Sequence, residues 1–260
     1  MISSDPTGRF SDRVDDYVRA RPTYPPAALD FLAAGGKLSP GDAVADVGSG
    51  TGILTRLLID RGLSVFAIEP NAAMRRAAQD ALGARPEFHS VDGRAEATGL
   101  PDGSVRMVAA AQAFHWFDPA KARREFRRIL QPKGVVALLW NERLSGPDPF
   151  SREYEKLVLD FGTDYRQVDH RQIDSAALES FFGRAPVSAS FPHRQALDRA
   201  ALQARLLSSS YAPPPGSPGN AEMLREMDAI FAASQVSGHV AMMYDCHVHI
   251  SALDNVSIKG

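Results

Sequence analysis

The chain has 260 residues, with 29 Lys+Arg against 31 Asp+Glu, a formal net charge of -2, 44% hydrophobic and 23% charged residues. Such proportions belong to a globular protein with a sizeable core and exclude a hydrophobe-poor disordered chain, while the balanced charge argues against a general nucleic-acid binder. No apolar run reaches the ~18 residues needed to cross a membrane, the opening MISSDPTGRFSDR has no apolar signal segment, and the single cysteine, Cys246, can build neither an internal disulfide nor a cysteine zinc site. The sequence therefore predicts a cytoplasmic protein of one large domain or two small ones.

The first 40 residues hold the arginine- and tyrosine-bearing stretch FSDRVDDYVRARPTYPP and one helix-like segment at 27–34. From Gly41 to about Arg143 two textures alternate. Short apolar runs recur at 43–48, 63–69, 86–91, 105–114 and 134–140, with helically spaced stretches at 52–61, 71–82 and 119–130 between most of them. Alternation of this length indicates βαβ units and a parallel sheet, and near-continuous apolar strands fit a sheet covered on both faces. Pro119 suits a first helical turn with Asp118 as its cap, and Pro132 with Gly134 ends that helix. Four further helices are predicted at about 150–161, 175–182, 198–210 and 220–235, with a strand at 186–191 (PVSASF) among them. APPPGSPG at 212–219 reads as a loop and HVAMMYDCHVHI at 239–250 as a final strand. Arg123, Arg124, Arg127 and Arg128, with Glu125, read as a solvated helix face.

The strongest local signal is Asp46-Val47-Gly48-Ser49-Gly50-Thr51-Gly52, which closes the first strand and opens a helix. Glycines there allow a tight turn and the close approach of a ligand. A dinucleotide loop, G-x-G-x-x-G/A, would place its third small residue at Ile53, and it would not carry the acid Asp46. A carboxylate at that place repels a pyrophosphate and can accept from an ammonium group. Both departures favour a ligand with a cationic amino-acid end. Glu69 ends the next strand, 21 residues after Gly48, where an acid can accept two ribose hydroxyls.

On these residues the sequence resembles the class I S-adenosylmethionine-dependent methyltransferases, most nearly the small-molecule group with a methyltransferase type 11 domain. The resemblance is strong over about 40–143 and weaker over 10–26 and 239–250. It implies a Rossmann-like α/β fold: a seven-stranded, mostly parallel sheet with helices on both faces, the last strand antiparallel, and 186–191 and 239–250 as the last two strands. It further implies one domain over 1–260, with a lid segment at 1–26, a cofactor core at 40–143, a helical cap at 145–235 that includes the sixth strand, and a final strand at 239–250.

The cofactor implied is S-adenosyl-L-methionine, with S-adenosyl-L-homocysteine as product. Asp46, Gly48, Ser49, Gly50, Thr51 and Gly52 match the loop for its methionine part. Glu69 matches the ribose acid, followed by Pro70, Asn71 and Met74. Gly93-Arg94-Ala95-Glu96 resembles the segment beside adenine, with Ala95 and Glu96 as contacts. Arg94 stands where many relatives have an acid, and Asp92 is a substitute; Arg106 also replaces a common acid, at the sheet edge. Tyr17 and Arg21 resemble a front segment that meets the methionine carboxylate, and Gln112 a contact through its amide.

His115, Trp116 and Phe117 follow the fourth strand, where the resemblance puts the methyl group. Imidazole titrates near neutrality, so His115 is a general base, a wall of the cofactor or substrate site, or a purely structural residue that packs or hydrogen-bonds a loop, and a base is needed only for a protonated acceptor. Asp245, His247 and His249 share one face of the final strand, a set that can bind metal; an ordinary edge strand is the preferred reading, and no metal is assigned. The function expected is methyl transfer to O or N of a small-molecule acceptor, without nucleic-acid or membrane partners. A cofactor-binding module without catalysis and a nucleotide-dependent oxidoreductase are the alternatives.

Overall fold

Val44 and Ala45 are adjacent in sequence and both fully buried, on opposite faces of one sheet. The same alternation recurs at Val108 and Ala109 and at Leu138 and Leu139, which is the property of strands covered on both sides. The computed structural model describes residues 20–146, 148–162, 174–209, 211–214 and 216–253. In chain order the elements are α1 (Pro26–Gly36), β1 (Ala43–Val47), α2 (Ile53–Ile59), β2 (Ser64–Ile68), α3 (Ala72–Leu82), β3 (Phe88–Val91), β4 (Val105–Ala111), α4 (Pro119–Ile129), β5 (Leu130–Arg143), α5 (Pro149–Phe161), α6 (Ser175–Phe182), β6 (Val187–Leu197), α7 (Arg199–Leu207), α8 (Pro218–Ser234) and β7 (Val240–Ser251).

The sheet has seven strands in the order β3-β2-β1-β4-β5-β7-β6. β1 to β5 pair in parallel, and β7 runs antiparallel to both β5 and β6. Strand order reverses between β1 and β4, so the switch point, where open α/β sheets bind ligands, lies at the carboxyl ends of those two strands. α1 and α2 cover one face through Leu29, Leu32, Leu54 and Leu58. α4 and α6 cover the other through Phe126, Ile129, Phe181 and Phe182. A third cluster joins α5, α7 and α8 to the amino end of β7 through Tyr154, Leu202, Met227 and Tyr244. Helix starts follow their sequence signals: Asp118 accepts from Lys121 N and Asp148 from Ser151 N, each ahead of a proline in the first turn. No helix among the described residues is long and apolar enough to cross a membrane.

Three expectations are corrected. β7 is not an edge strand: it lies between β5 and β6, because alternate burial of one face does not reveal whether both backbone edges are paired. The edge is β6, which continues past Phe191 through Pro192 to Leu197; a proline is tolerated there because an edge strand can do without one ladder donor. β5 starts at Leu130 rather than 134, with an irregularity in its pairing between Val105 and Met107. Lastly, the arginine-rich face of α4 is not uniformly solvated. Arg123 is buried and donates from Nε to Phe181 O at 2.6 Å. Glu125 is buried too and accepts from Thr98 N and Thr98 Oγ1. Burial pushes the Glu125 carboxyl up, but hydrogen bonds from Arg128 and Thr98 outweigh it and hold it down at about 2.

Candidate functional site

Asp46 is the fourth residue of β1, at its carboxyl end, and is 1% exposed. Thr55 in α2 donates its hydroxyl to Asp46 Oδ2 at 2.6 Å. The other oxygen, Oδ1, is buried with no hydrogen-bond partner among the described residues. Burial pushes the Asp46 carboxyl up to about 7, with the Thr55 hydrogen bond opposing it and the Glu69 charge adding to it. A buried carboxylate oxygen left unpaired costs free energy on the order of 1–3 kcal/mol, so it marks a place where a donor from outside the chain would be welcome.

The loop after it is pinned to β2: Gly48 N and Ser49 N both donate to Ile68 O, at 2.8 and 3.1 Å. Its glycines have different reasons to be glycine. Gly48 sits at φ +71, and a Cβ there would meet Ala113 Cβ at 2.5 Å, so this glycine lets the loop after β4 close onto the loop after β1. Gly50 sits at φ +56 with open space where a Cβ would stand. Of these two, only Gly50 has the open cradle that the ligand-approach argument expected.

Glu69, just past β2, fixes the same loop. Its Oε2 accepts from Gly50 N at 3.0 Å and its Oε1 from Asn71 N at 2.8 Å. Each oxygen keeps one further lone pair, enough for two hydroxyl donors. Burial raises the Glu69 pKa, while the Asn71 and Gly50 amides and Arg75 pull it back. Arg75, which the sequence reading missed, donates to Glu69 O and Pro70 O and pairs with Asp92 at 2.8 Å. The sole hint was its position in the helix that follows the acid. Asp92, the proposed substitute beside adenine, is therefore engaged with Arg75.

Other expected residues have visible local work. Asn71 caps α3, its Oδ1 accepting from Ala73 N and Met74 N, and Met74 is buried beneath that turn. Arg94 and Ala97 exchange backbone hydrogen bonds, closing a turn around Ala95 and Glu96, and Glu96 Oε1 accepts from Asp118 N at the head of α4. Arg106 Nε donates to Gly36 O. Thr51 is buried in the loop.

Gln112 directly follows β4 at φ +55, a left-handed conformation unusual for a residue with a side chain. Its N donates to Leu139 O and its Nε2 to Asn141 O at 3.1 Å. This strained turn aims the next residues across the switch point. Phe114–Trp116 form one 3-10 turn, and His115, Trp116 and Phe117 are all half-buried. The His115 and Trp116 rings lie 4.8 Å apart, and Phe117 packs on Phe126 and Phe114. Arg21 Nη2 donates to Ser208 O at 2.8 Å, so the front segment is tied to the end of α7. Tyr17 lies outside the described residues. On β7, His249 Nδ1 lies 2.8 Å from Ser188 Oγ and His247 Nε2 3.1 Å from Glu142 Oε2. Among the described residues no group of three or more His, Cys, Asp or Glu could hold a metal ion.

A sheet of this order, mostly parallel with one antiparallel strand and helices around it, matches the Rossmann-like methyltransferase fold. Residues 45–138 match the model of a methyltransferase domain family. An uncharacterized methyltransferase of Mycobacterium tuberculosis is 42% identical over 134 residues, 52% of each chain. One of Schizosaccharomyces pombe is 35% identical over 138 residues, 52% of this chain and 53% of the other. The chain thus spans about half the length of the curated relatives it matches. Among solved structures, a candidate type II methyltransferase of Anaeromyxobacter dehalogenans superposes with TM-score 0.66 at 22% identity, covering 90% of this chain and 98% of that one. A SAM-dependent methyltransferase of Geobacter sulfurreducens, solved with S-adenosyl-L-homocysteine, gives 0.51 at 17% identity, covering 96% and 98%. At these identities the structural likeness shows the fold.

Proposed function

We propose that this protein is an S-adenosylmethionine-dependent methyltransferase of a small molecule, working in the cytoplasm. The observation that carries the reading is Asp46 Oδ1, a buried carboxylate oxygen without a partner among the described residues at the switch point, with open space where a Cβ of Gly50 would stand. An amino-acid ammonium group supplies the missing donor. Two free lone pairs on Glu69 suit the two ribose hydroxyls. The match over 45–138 supports the same reading.

In this reading Asp46, Gly48, Ser49, Gly50, Thr51 and Gly52 hold the methionine part. Glu69, Pro70, Asn71 and Met74 hold the ribose, Ala95 and Glu96 flank adenine, and Gln112, Tyr17 and Arg21 close the front. Residues 1–26 and 145–235 serve as lid and cap over the core at 40–143, within a single domain. When bound, the cofactor supplies a sulfonium methyl group whose C–S bond breaks as the acceptor's O or N forms the new bond, the sulfur keeping the electron pair. The chain's part is to hold the acceptor in line at about 3 Å, an orientation worth several kcal/mol of barrier. Half-buried Trp116 and Phe117 form an apolar wall that excludes water. For an acceptor that carries a proton, His115 takes it at Nε2, since its Nδ1 is buried; for one that does not, the ring is a wall.

Calorimetry with S-adenosylmethionine, S-adenosylhomocysteine and NAD tests the cofactor, and binding of NAD alone overturns the reading. Incubation with methyl-labelled cofactor and a metabolite extract tests turnover; cofactor binding without product across broad extracts leaves a binding module. His115→Ala is expected to lower turnover at least tenfold while cofactor affinity stays within threefold.

A further inference from the structure

Arg205 in α7 is 7% exposed, and a buried guanidinium ordinarily sits opposite a carboxylate. Here, among the described residues, none reaches it. Its Nε donates to Tyr244 OH at 3.2 Å and its Nη1 to Ser209 Oγ at 3.1 Å. Its electrostatic neighbours are the hydroxyls of Tyr244, Tyr154 and Tyr211, and Nη2 has no partner among the described residues. The second observation is independent. Tyr154 in α5, 1% exposed, has a hydroxyl with no partner among the described residues. Arg205, Arg143, Tyr211 and Tyr244 are among its electrostatic neighbours. Burial raises the Tyr154 pKa, so it stays a neutral phenol with a hydrogen to donate. Arg143 is a second cation at the cluster, its guanidinium 5.0 Å from the centre of the Tyr154 ring, but it is already paired with Glu155. Among the described residues one buried donor, the Tyr154 hydroxyl, thus lacks an acceptor, beside a guanidinium that no carboxylate compensates.

The cluster is linked to Gln112 through hydrogen bonds and one ring stack. Gln112 Nε2 donates to Asn141 O at 3.1 Å. Asn141 Nδ2 donates to Thr23 O at 3.1 Å, so its Oδ1 accepts from His193 Nε2 at 2.9 Å. Burial lowers the His193 pKa against the opposing pull of Asp245, which suits that neutral tautomer. The His193 ring stacks on Tyr244 at 5.2 Å, and Tyr244 carries the Arg205 bond. Tyr211 is half-buried, whereas the Arg143 side chain is 8% exposed.

We infer that Arg205 and Tyr154 form an anion-binding subsite for the methyl acceptor, and that the acceptor is a small molecule bearing a carboxylate. This rests on the methyltransferase reading above. One guanidinium and one phenol present a few donors and a single charge, which matches a planar two-oxygen anion; a phosphate dianion would call for more positive charge. Three tyrosine rings around the cation favour an acceptor with an apolar body.

The test uses the full chain, methyl-labelled cofactor and a metabolite extract split on an anion exchanger at pH 8. The wild-type chain is expected to label a product from the retained fraction. Labelling is expected to survive phosphatase treatment of that fraction and to vanish after its carboxylates are converted to amides with carbodiimide and ammonia. A product only from the unretained fraction, or one lost to phosphatase and kept after amidation, overturns the carboxylate. Arg205→Gln is expected to lose at least a hundredfold in turnover, with affinity for S-adenosylhomocysteine within threefold, and Arg205→Lys to recover part of the loss. Turnover of Arg205→Gln within threefold of wild type overturns the subsite. If Arg205→Gln does not fold, the wild-type fractionation still decides. Cofactor binding with no labelled product from any fraction overturns the methyltransferase reading itself, and the inference with it.

Discussion

Thr55 donates its hydroxyl to one oxygen of Asp46 at 2.6 Å and leaves the other oxygen buried without a partner among the described residues. The pair divides the carboxylate between two tasks. Oδ2 is anchored to α2, and Oδ1 is held in a place where no described residue satisfies it. Because Thr55 and Asp46 belong to consecutive elements, the helix that follows the glycine loop fixes the orientation of the acid that precedes it.

The pH dependence of this group has a definite sign. Burial pushes the Asp46 carboxyl up to about 7 from 3.8. The native chain then holds a proton that the unfolded chain has released, so this contribution to stability is fully present below the unfolded value and is lost as pH rises through about 7. Cofactor binding runs the other way, since a ligand ammonium favours the ionised form. Affinity for S-adenosylhomocysteine is expected to rise with pH, by up to tenfold per unit below about 7, and to level off above it. Asp46→Asn should weaken binding and flatten the rise. Calorimetry at about pH 5.5, 6.5 and 7.5 decides, and equal slopes in wild type and variant would contradict the assignment.

Glu69→Ala removes the acceptor for Gly50 N and Asn71 N as well as the two lone pairs offered to a ligand. Hydrogen bonds to a charged group are worth about 1.5–3 kcal/mol, so affinity for S-adenosylhomocysteine should fall at least tenfold. Titration at a fixed pH above 7 measures it.

Gly48 and Gly50 should respond differently to alanine. At Gly48 the new methyl would overlap Ala113 Cβ, so Gly48→Ala is expected to lower the melting temperature and impair binding together. At Gly50 the methyl meets nothing in the chain, and the cost is the strain of φ +56, about 1 kcal/mol. Gly50→Ala should therefore fold with a small loss of Tm and lose cofactor affinity by a larger factor. Melting curves with and without S-adenosylhomocysteine separate the two effects.

Cys246 is fully buried in β7, and burial pushes its thiol up to about 12. It should resist an aromatic disulfide reagent at pH 8 in the native protein and react stoichiometrically in guanidinium. Rapid modification under native conditions would mean that the sheet opens at β7.

Much of the fold was legible because its signals are local. Asp118 before Pro119 marks a helix start within two residues, and the apolar runs of β1 to β5 lie within a few residues of their predicted places. Asp46, Glu69 and the glycines between them could be read for the same reason. What escaped reading depends on partners distant in sequence. Arg123 looks like surface charge until Phe181 O, 58 residues on, is brought to it. Asn141 meets Thr23 across 118 residues. Arg205 is an ordinary helix arginine until Tyr244 and Tyr154 surround it. The strand expected at 186–191 also stopped short of Leu197; its continuation through Pro192 is possible because the strand lies at the sheet's edge.

The order β5-β7-β6 carries a consequence for how the chain assembles during synthesis. β6 pairs with β7 and with no other strand, over the whole of Val187–Leu197. As the chain leaves the ribosome, β6 therefore emerges with no strand to receive it and must wait for residues 240–251. The parallel half of the sheet can form from the first 143 residues, but α7, which follows β6 directly, gains the Tyr244 anchor for Arg205 only when the final strand inserts. Assembly of the cofactor half and of the anion subsite is thus separated in time, and an exposed, half-apolar β6 is the segment most in need of shielding in the interval.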